Sequence, residues 1–208
     1  MRELDKARTG NLFATPILTH TWADAAELNP ALRAAILEHA ARSPGVELTN
    51  YGGWHSEVGA LEFCGEAGQR LIRHVLGMAE EATLRLYAEF ERKPQFQGWT
   101  LSAWANINGP GDFNAMHTHP GATWSGVYYV DPGEAKTGGE STALHLSDPN
   151  PARTNLSFPE LSNSNVLFNP ERGLMILFPS YVPHAVLPHR GGGQRISIAF
   201  NLRKEPFP

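Results

Sequence analysis

A single cysteine, Cys64, leaves no internal disulfide available, and a reducing compartment, the cytoplasm, is the expected setting. Charge of one sign is also scarce. The formal net charge is −4 and no Lys/Arg run occurs, so nothing resembles a strip that would neutralise a phosphate backbone, and nucleic acid is not an expected partner. No stretch approaches the roughly 18 consecutive apolar residues that a membrane span requires. The opening "MRELDKARTGNLFATPILTHTW" lacks the unbroken apolar segment of a signal peptide. Repeats and low-complexity linkers are absent too.

What is present reads as globular. Apolar residues make up 41% and charged residues 18% of 208, enough to bury a core in a single domain without covalent staples. Sixteen prolines and twenty glycines, concentrated after residue 94, announce many turns. The whole chain is expected to be one domain, with residues 1–95 supplying a strand and supporting helices and residues 96–208 a β core.

The periodicities divide accordingly. A short strand is expected over Leu12–Thr19. "ADAAELNPALRAAILEHAARSPG" then carries Leu32, Ile36 and Leu37 at helical spacing, with Pro44-Gly45 as a stop. "EAGQRLIRHVLGMAEEATLRLYAEFERKP" aligns Leu71, Ile72, Val75, Leu76, Ala79, Ala82, Leu86 and Phe90 on one helical face before Pro94. From Gln97 the period shortens. Strands are expected at Gly98–Asn108, Trp124–Val130, Ser141–Leu146, Val166–Phe168, Leu174–Phe178, His184–Leu187 and Arg195–Leu202. Short strands following helices, with no βαβ alternation, predict a mainly β fold with flanking helices: a jelly roll of two sheets, supported by the N-terminal helices.

Within "NAMHTHPGATWSGVYYV", His117 and His119 are two residues apart. On a strand such residues share a face, so the pair could offer two nitrogens to one ion, with Thr118 turned away; two polar residues at a strand end would look the same. A third candidate, His184, stands at the head of a strand after the Pro179-Ser180 turn in "GLMILFPSYVPHAVLP". Together they give H-x-H…H, a three-ligand site that keeps positions open for substrate and dioxygen. The other histidines are weaker candidates. His20, His39 and His74 belong to the N-terminal elements, His55 and His145 stay open, and His189 is expected to be solvated in the "PHRGGGQR" turn.

Beyond His184, "QRISIAFNL" alternates cleanly. Ile196, Ile198, Phe200 and Leu202 occupy one face, and Arg195, Ser197, Ala199 and Asn201 the other. An arginine on an inward face is costly unless an anion meets it, and its planar fork suits a carboxylate. Ser197 points the same way and can add a hydrogen bond. Trp104, Asn106, Tyr128 and Tyr129 are the candidate pocket residues.

Taken in order, "LFATPIL", "GGWHS", "HTHPGATWSGVYYV", "LFPSYVPHAV" and "RISIAFN" resemble the Fe(II)/2-oxoglutarate-dependent dioxygenases, in particular a bacterial and phage-associated group of oxygenases without assigned substrates. The resemblance spans nearly the whole chain. It implies a double-stranded β-helix and an Fe(II) held by His117, His119 and His184 as the catalytic centre. It further implies 2-oxoglutarate bound by Arg195 and Ser197, with Asn106 a further cofactor-binding position, and oxidation of a small-molecule or peptide substrate by dioxygen with release of succinate. His119 stands where most members place Asp or Glu, which leaves the site one charge more positive. Asp112 could supply a carboxylate only if the Gly109-Pro110-Gly111 turn folds back on His117. A cupin-type metalloenzyme that does not use 2-oxoglutarate is the alternative, since Gly111, Gly173 and Pro179 fall at its spacings, although it gives Arg195 no role. A metal-free jelly-roll binding module is the third reading. The sequence leaves association as a homodimer open.

Overall fold

Two eleven-residue strands, β4 (Gly98–Asn108) and β11 (Arg195–Glu205), pair antiparallel from Arg195↔Asn108 to Glu205↔Gly98 and form the spine of the fold in this computed structural model, which describes residues 14–134, 142–150 and 164–206. Around them, β1 (Leu18–Thr21), β3 (Trp54–His55), β6 (Trp124–Asp131) and β9 (Leu174–Pro179) complete a six-stranded sheet in the order β1-β9-β6-β11-β4-β3. The second sheet has the order β2-β5-β10-β7-β8. Its strands are β2 (Asn50–Tyr51), β5 (Phe113–His117), β7 (Leu144–Ser147), β8 (Asn165–Phe168) and β10 (His184–Val186). The fold is a jelly roll, mainly antiparallel β, with three flanking helices among the described residues: α1 (Ala25–Ala40), α2 (Ala60–Phe63) and α3 (Gly65–Glu89).

The larger sheet is buried on both faces, which explains why β6 reads "WSGVYYV" without a charged residue before Asp131. Its Tyr128 and Val130, with Ile196, Ile198, Phe200 and Leu202 of β11, pack against Leu28, Leu32 and Ile36 of α1 and Leu71, Val75, Met78, Ala79 and Ala82 of α3. The opposite face of β6 presents Val127 and Tyr129 to a second cluster containing Leu144, Leu146, Ile176, Phe178 and Val182. Burying a side chain of this size is worth about 1.5–3 kcal/mol, so the helices are held chiefly by this stripe. Gly126 lets β6 and β9 close up: a Cβ there would lie 2.5 Å from both the Ile176 carbonyl oxygen and the Phe200 ring.

Several predicted boundaries shift. The first strand covers Leu18–Thr21 rather than Leu12–Thr19, of which Leu12 and Phe13 lie outside the described residues. The first helix stops at Ala40, before Pro44-Gly45, and the long helix at Glu89, so Phe90 drops out of the apolar stripe and is exposed. β7 begins at Leu144; the predicted start at Ser141 lies outside the described residues. Neither β2 nor β3 was signalled by the sequence, because each is only two residues long. Gly52 and Gly53, both at positive φ, turn the chain between them from the smaller sheet to the larger.

Candidate active site

The inner faces of the two sheets enclose a cavity of about 570 Å³, within the size range of small-ligand sites. The alternation along β11 sends Arg195, Ser197, Ala199 and Asn201 into it. Register carries the same face across the sheet: Ser197 lies opposite Asn106 on β4 and Tyr129 on β6, and Asn106 lies opposite His55 on β3. All four line the cavity. Trp104, two residues before Asn106 on β4, does so as well.

On the opposite wall His117 of β5 is the register partner of His184 of β10. His117, His119 and His184 converge, each offering a ring nitrogen within 4.8 Å of the others; no other such group occurs among the described residues. The i, i+2 reasoning on one strand needs correcting, however. β5 ends at His117, and His119 lies beyond it, where its N–H donates to the Ser180 carbonyl at 3.1 Å. The turn at Pro120-Gly121 ends the pairing, and the Ser180 bond returns the imidazole to the cluster.

Two of the rings hold one nitrogen on a carbonyl and leave the other available. His117 Nδ1 lies 2.8 Å from the Ala115 carbonyl and His184 Nδ1 2.9 Å from that of Val182, which assigns the proton to Nδ1 and the lone pair to Nε2 in each. Burial, then the charge of His117, pushes His119 down to about 4. The same two causes hold His184 at about 3, against a partial lift from the Val182 carbonyl. Trp104 meets His119 edge-on at 5.6 Å, and Phe178 meets His184 at 4.9 Å.

At the far end of the cavity Arg195 is only 2% exposed. Its Nη2 donates to Ser197 Oγ at 2.9 Å, and its Cζ sits 5.7 Å from the Tyr129 ring centre. Nε and Nη1 have no hydrogen-bond partner. Burial lowers the guanidinium pKa from its ordinary value, with Tyr129 opposing, but arginine keeps its charge in proteins. A buried cation with two unanswered donor groups is expensive unless an anion meets it.

The predicted site residues His117, His119, His184, Arg195, Ser197 and Asn106 therefore all line one cavity, as do Trp104 and Tyr129. Two expectations fail, and a third possibility closes. Tyr128 faces the helices, fully buried, and its hydroxyl donates to Asn29 Oδ1 at 2.6 Å, because β6 alternates and only Tyr129 turns inward. His189 is 1% exposed rather than solvated, since the turn folds inward and its ring lies 2.5 Å from Thr142 Oγ1. Asp112 accepts from the Gly109 N–H at 2.7 Å, clasping its own turn, and takes no part in the histidine cluster. His145 projects to the outer face, 2.8 Å from Asn165. His55 and Asn114 join the cavity. No spacing marked Asn114, because β5 carries an extra residue opposite β10: His184 pairs with His117 but Val186 with Asn114, so residues three apart on β5 share the inward face.

A jelly roll of this kind is the fold of non-haem oxygenases. The chain aligns over 91% of its length with 93% of a Pseudomonas putida prolyl-4-hydroxylase, at 16% identity and a TM-score of 0.58. It aligns over 90% with 83% of a prolyl hydroxylase from Trichoplax adhaerens solved with a hypoxia inducible factor peptide, at 14% identity and 0.59. The non-heme alpha ketoglutarate dependent carbocyclase SnoK of nogalamycin biosynthesis aligns at 12% identity and 0.61, covering 92% of this chain and 80% of its own. These likenesses concern the fold. Among curated proteins none matches in sequence. Residues 102–201, which run from β4 through both histidine segments to β11, match the family described as "Putative 2OG-Fe(II) oxygenase". Over these 100 residues, just under half of the chain, the sequence is similar to the 2OG-Fe(II) oxygenases, a family of oxidoreductases.

Proposed function

We propose that the chain oxidises an apolar-bodied small molecule or peptide side chain with dioxygen and 2-oxoglutarate, using His117, His119 and His184 to hold Fe(II) and Arg195 with Ser197 to hold the co-substrate. The observation that carries this is the buried Arg195 fork, with Nε and Nη1 unpartnered in the same cavity as the three histidines. Three imidazoles suit a divalent first-row metal, and on His117 and His184 the carbonyl bonds at Nδ1 orient Nε2 toward it. The fit extends to the anion. Nε and Nη1 can grip a carboxylate in two-point fashion, and Ser197, whose oxygen already accepts from Nη2, has its proton free to donate to the same group.

When bound, Fe(II) and 2-oxoglutarate supply the oxidising chemistry, with succinate as the co-product. The protein's part is placement and dryness. Arg195 and Ser197 would anchor the distal carboxylate, and the histidines in the same cavity would hold the metal. Trp104 and Phe178 pack against His119 and His184, excluding water and keeping both imidazoles neutral. Val46, Leu48 and Val58, from the segment that crosses the mouth, form an apolar wall, with Leu48 72% and Val58 69% exposed, and this favours a substrate with an apolar face. The whole chain acts as one domain in this reading, and its lone cysteine, buried at position 64, suits the cytoplasm.

The test is anaerobic addition of Fe(II) and 2-oxoglutarate to the full chain, followed by admission of air. A visible charge-transfer band on mixing, and succinate on aeration, are expected. Metal binding without the band would favour cupin-type chemistry, and binding of neither would reduce the chain to a module.

A further inference from the structure

Asn201 is the last cavity-lining residue of β11, at the opposite end of its inward face from Arg195 and about 20 Å along the strand from it. Its register partners are Ser102 on β4 and Ser125 on β6. Ser125, only 1% exposed, donates from Oγ to Asn201 Oδ1 at 2.7 Å. That bond orients the half-buried amide: the oxygen is held on Ser125, and the NH2 group is turned away from it with two donors to offer.

The neighbouring rows of the sheet say what those donors can meet. An apolar row, Trp104, Ala199 and Val127, separates Asn201 from the row of Asn106, Ser197 and Tyr129. Both the apolar row and the Asn201 row reach the histidine cluster. The first does so through Trp104, 5.6 Å from His119, and the second through Phe178, the register partner of Ser125, 4.9 Å from His184. Asn201 therefore belongs to the histidine end of the cavity, out of reach of a diacid as short as 2-oxoglutarate held by Arg195. Among the described residues Arg195 is the only Lys or Arg that lines the cavity, so an uncharged oxygen suits the Asn201 amide better than a second anion does.

We propose that Asn201 determines substrate specificity, its amide N–H donating to an uncharged carbonyl or hydroxyl oxygen on the part of the substrate that lies beside the histidines. This rests on the 2-oxoglutarate reading above and narrows the substrate to an apolar body carrying a neutral acceptor.

The probes are hexanamide, hexanoate and hexylammonium, each added to the full chain loaded with Mn(II) and 2-oxoglutarate without oxygen. Mn(II) speeds the proton relaxation of a molecule bound beside it, so NMR titration against a Zn(II)-loaded blank reads occupancy next to the histidines. Hexanamide should bind wild type tightest of the three. Asn201→Leu should weaken it roughly fivefold to tenfold, the loss of one neutral hydrogen bond, with Mn(II) and 2-oxoglutarate affinities held within about twofold. Asn201→Asp keeps an acceptor for Ser125 but loses the donor, and should pass the preference to hexylammonium. Any other order of the probes in wild type, no relaxation by any of them, unchanged hexanamide affinity in Asn201→Leu, or a hexanamide preference kept by Asn201→Asp would overturn the assignment. If 2-oxoglutarate failed to bind wild type, or if Arg195→Met left its affinity intact, the underlying reading would fall as well; a hexanamide null beside an intact co-substrate site overturns this inference alone.

Discussion

Replacing Arg195 by methionine should separate binding from stability, and in an unusual direction. The side chain is buried, with one donor group satisfied by Ser197 and two unsatisfied. Methionine fills similar space without a charge. Removing a buried cation that lacks its partner is neutral or stabilising, and relieving two unanswered donors at about 1–3 kcal/mol each outweighs the lost Ser197 bond. The metal-free, co-substrate-free variant should therefore melt no lower than wild type. The holo comparison should reverse. Two charge-assisted hydrogen bonds at about 1.5–3 kcal/mol each amount to roughly 3–6 kcal/mol, or about a hundredfold to ten-thousandfold in affinity. The assay is a thermal melt with Mn(II) and 2-oxoglutarate. At about 100 times its dissociation constant the co-substrate adds about 2.7 kcal/mol to wild type, which for a chain of this length is a rise of about 5–10 °C. Arg195→Met should show no such rise at the same concentration while retaining its Mn(II) shift. A variant that kept more than half of the wild-type rise would refute the role given to Arg195.

His184→Ala should lower Mn(II) or Fe(II) affinity by more than about a hundredfold, since even partners of a metal ligand are worth tens of fold; equilibrium dialysis reads this directly, and unchanged metal content would contradict the cluster. The metal-free protein should lose stability as pH falls below 6.5, the ordinary histidine value, because the unfolded chain then takes up protons that His184, held at about 3, and His119, held at about 4, refuse. His184 alone accounts for about 2 kcal/mol at pH 5, and urea titrations of His184→Asn should show a shallower decline; identical slopes would sink the linkage. Gly126→Ala should cost about 1–3 kcal/mol in urea unfolding through overpacking, because its Cβ meets a carbonyl as well as the Phe200 ring.

How much of this was legible in the sequence varies with the range of the signal. The two faces of β11 could be read directly, since an eleven-residue alternating strand fixes which side each residue takes, and Arg195 and Ser197 followed. The helices' apolar stripes were equally plain, but their ends were not, because Pro44 and Pro94 limit how far a helix can run without forcing it to continue that far. His117 and His119 were paired for an incomplete reason: they do converge, but through a turn and a hydrogen bond to Ser180 rather than along a strand. Choosing Tyr129 over Tyr128 needed the parity of β6, which an apolar run buried on both faces conceals. Asn114 was invisible, because an extra residue opposite β10 is a property of two strands and leaves no mark in either.

That extra residue has a consequence for how the site could diversify. Inserting one residue between Met116 and His117, with the irregularity kept, would leave the histidine opposite His184 but set Ala115 opposite Val186, turning the inward amide to the outside. Strand length at this point acts as a selector for the far end of the cavity, adjustable by a single codon without disturbing the histidines. The lining of the far end can thus change while the histidine cluster stays in place.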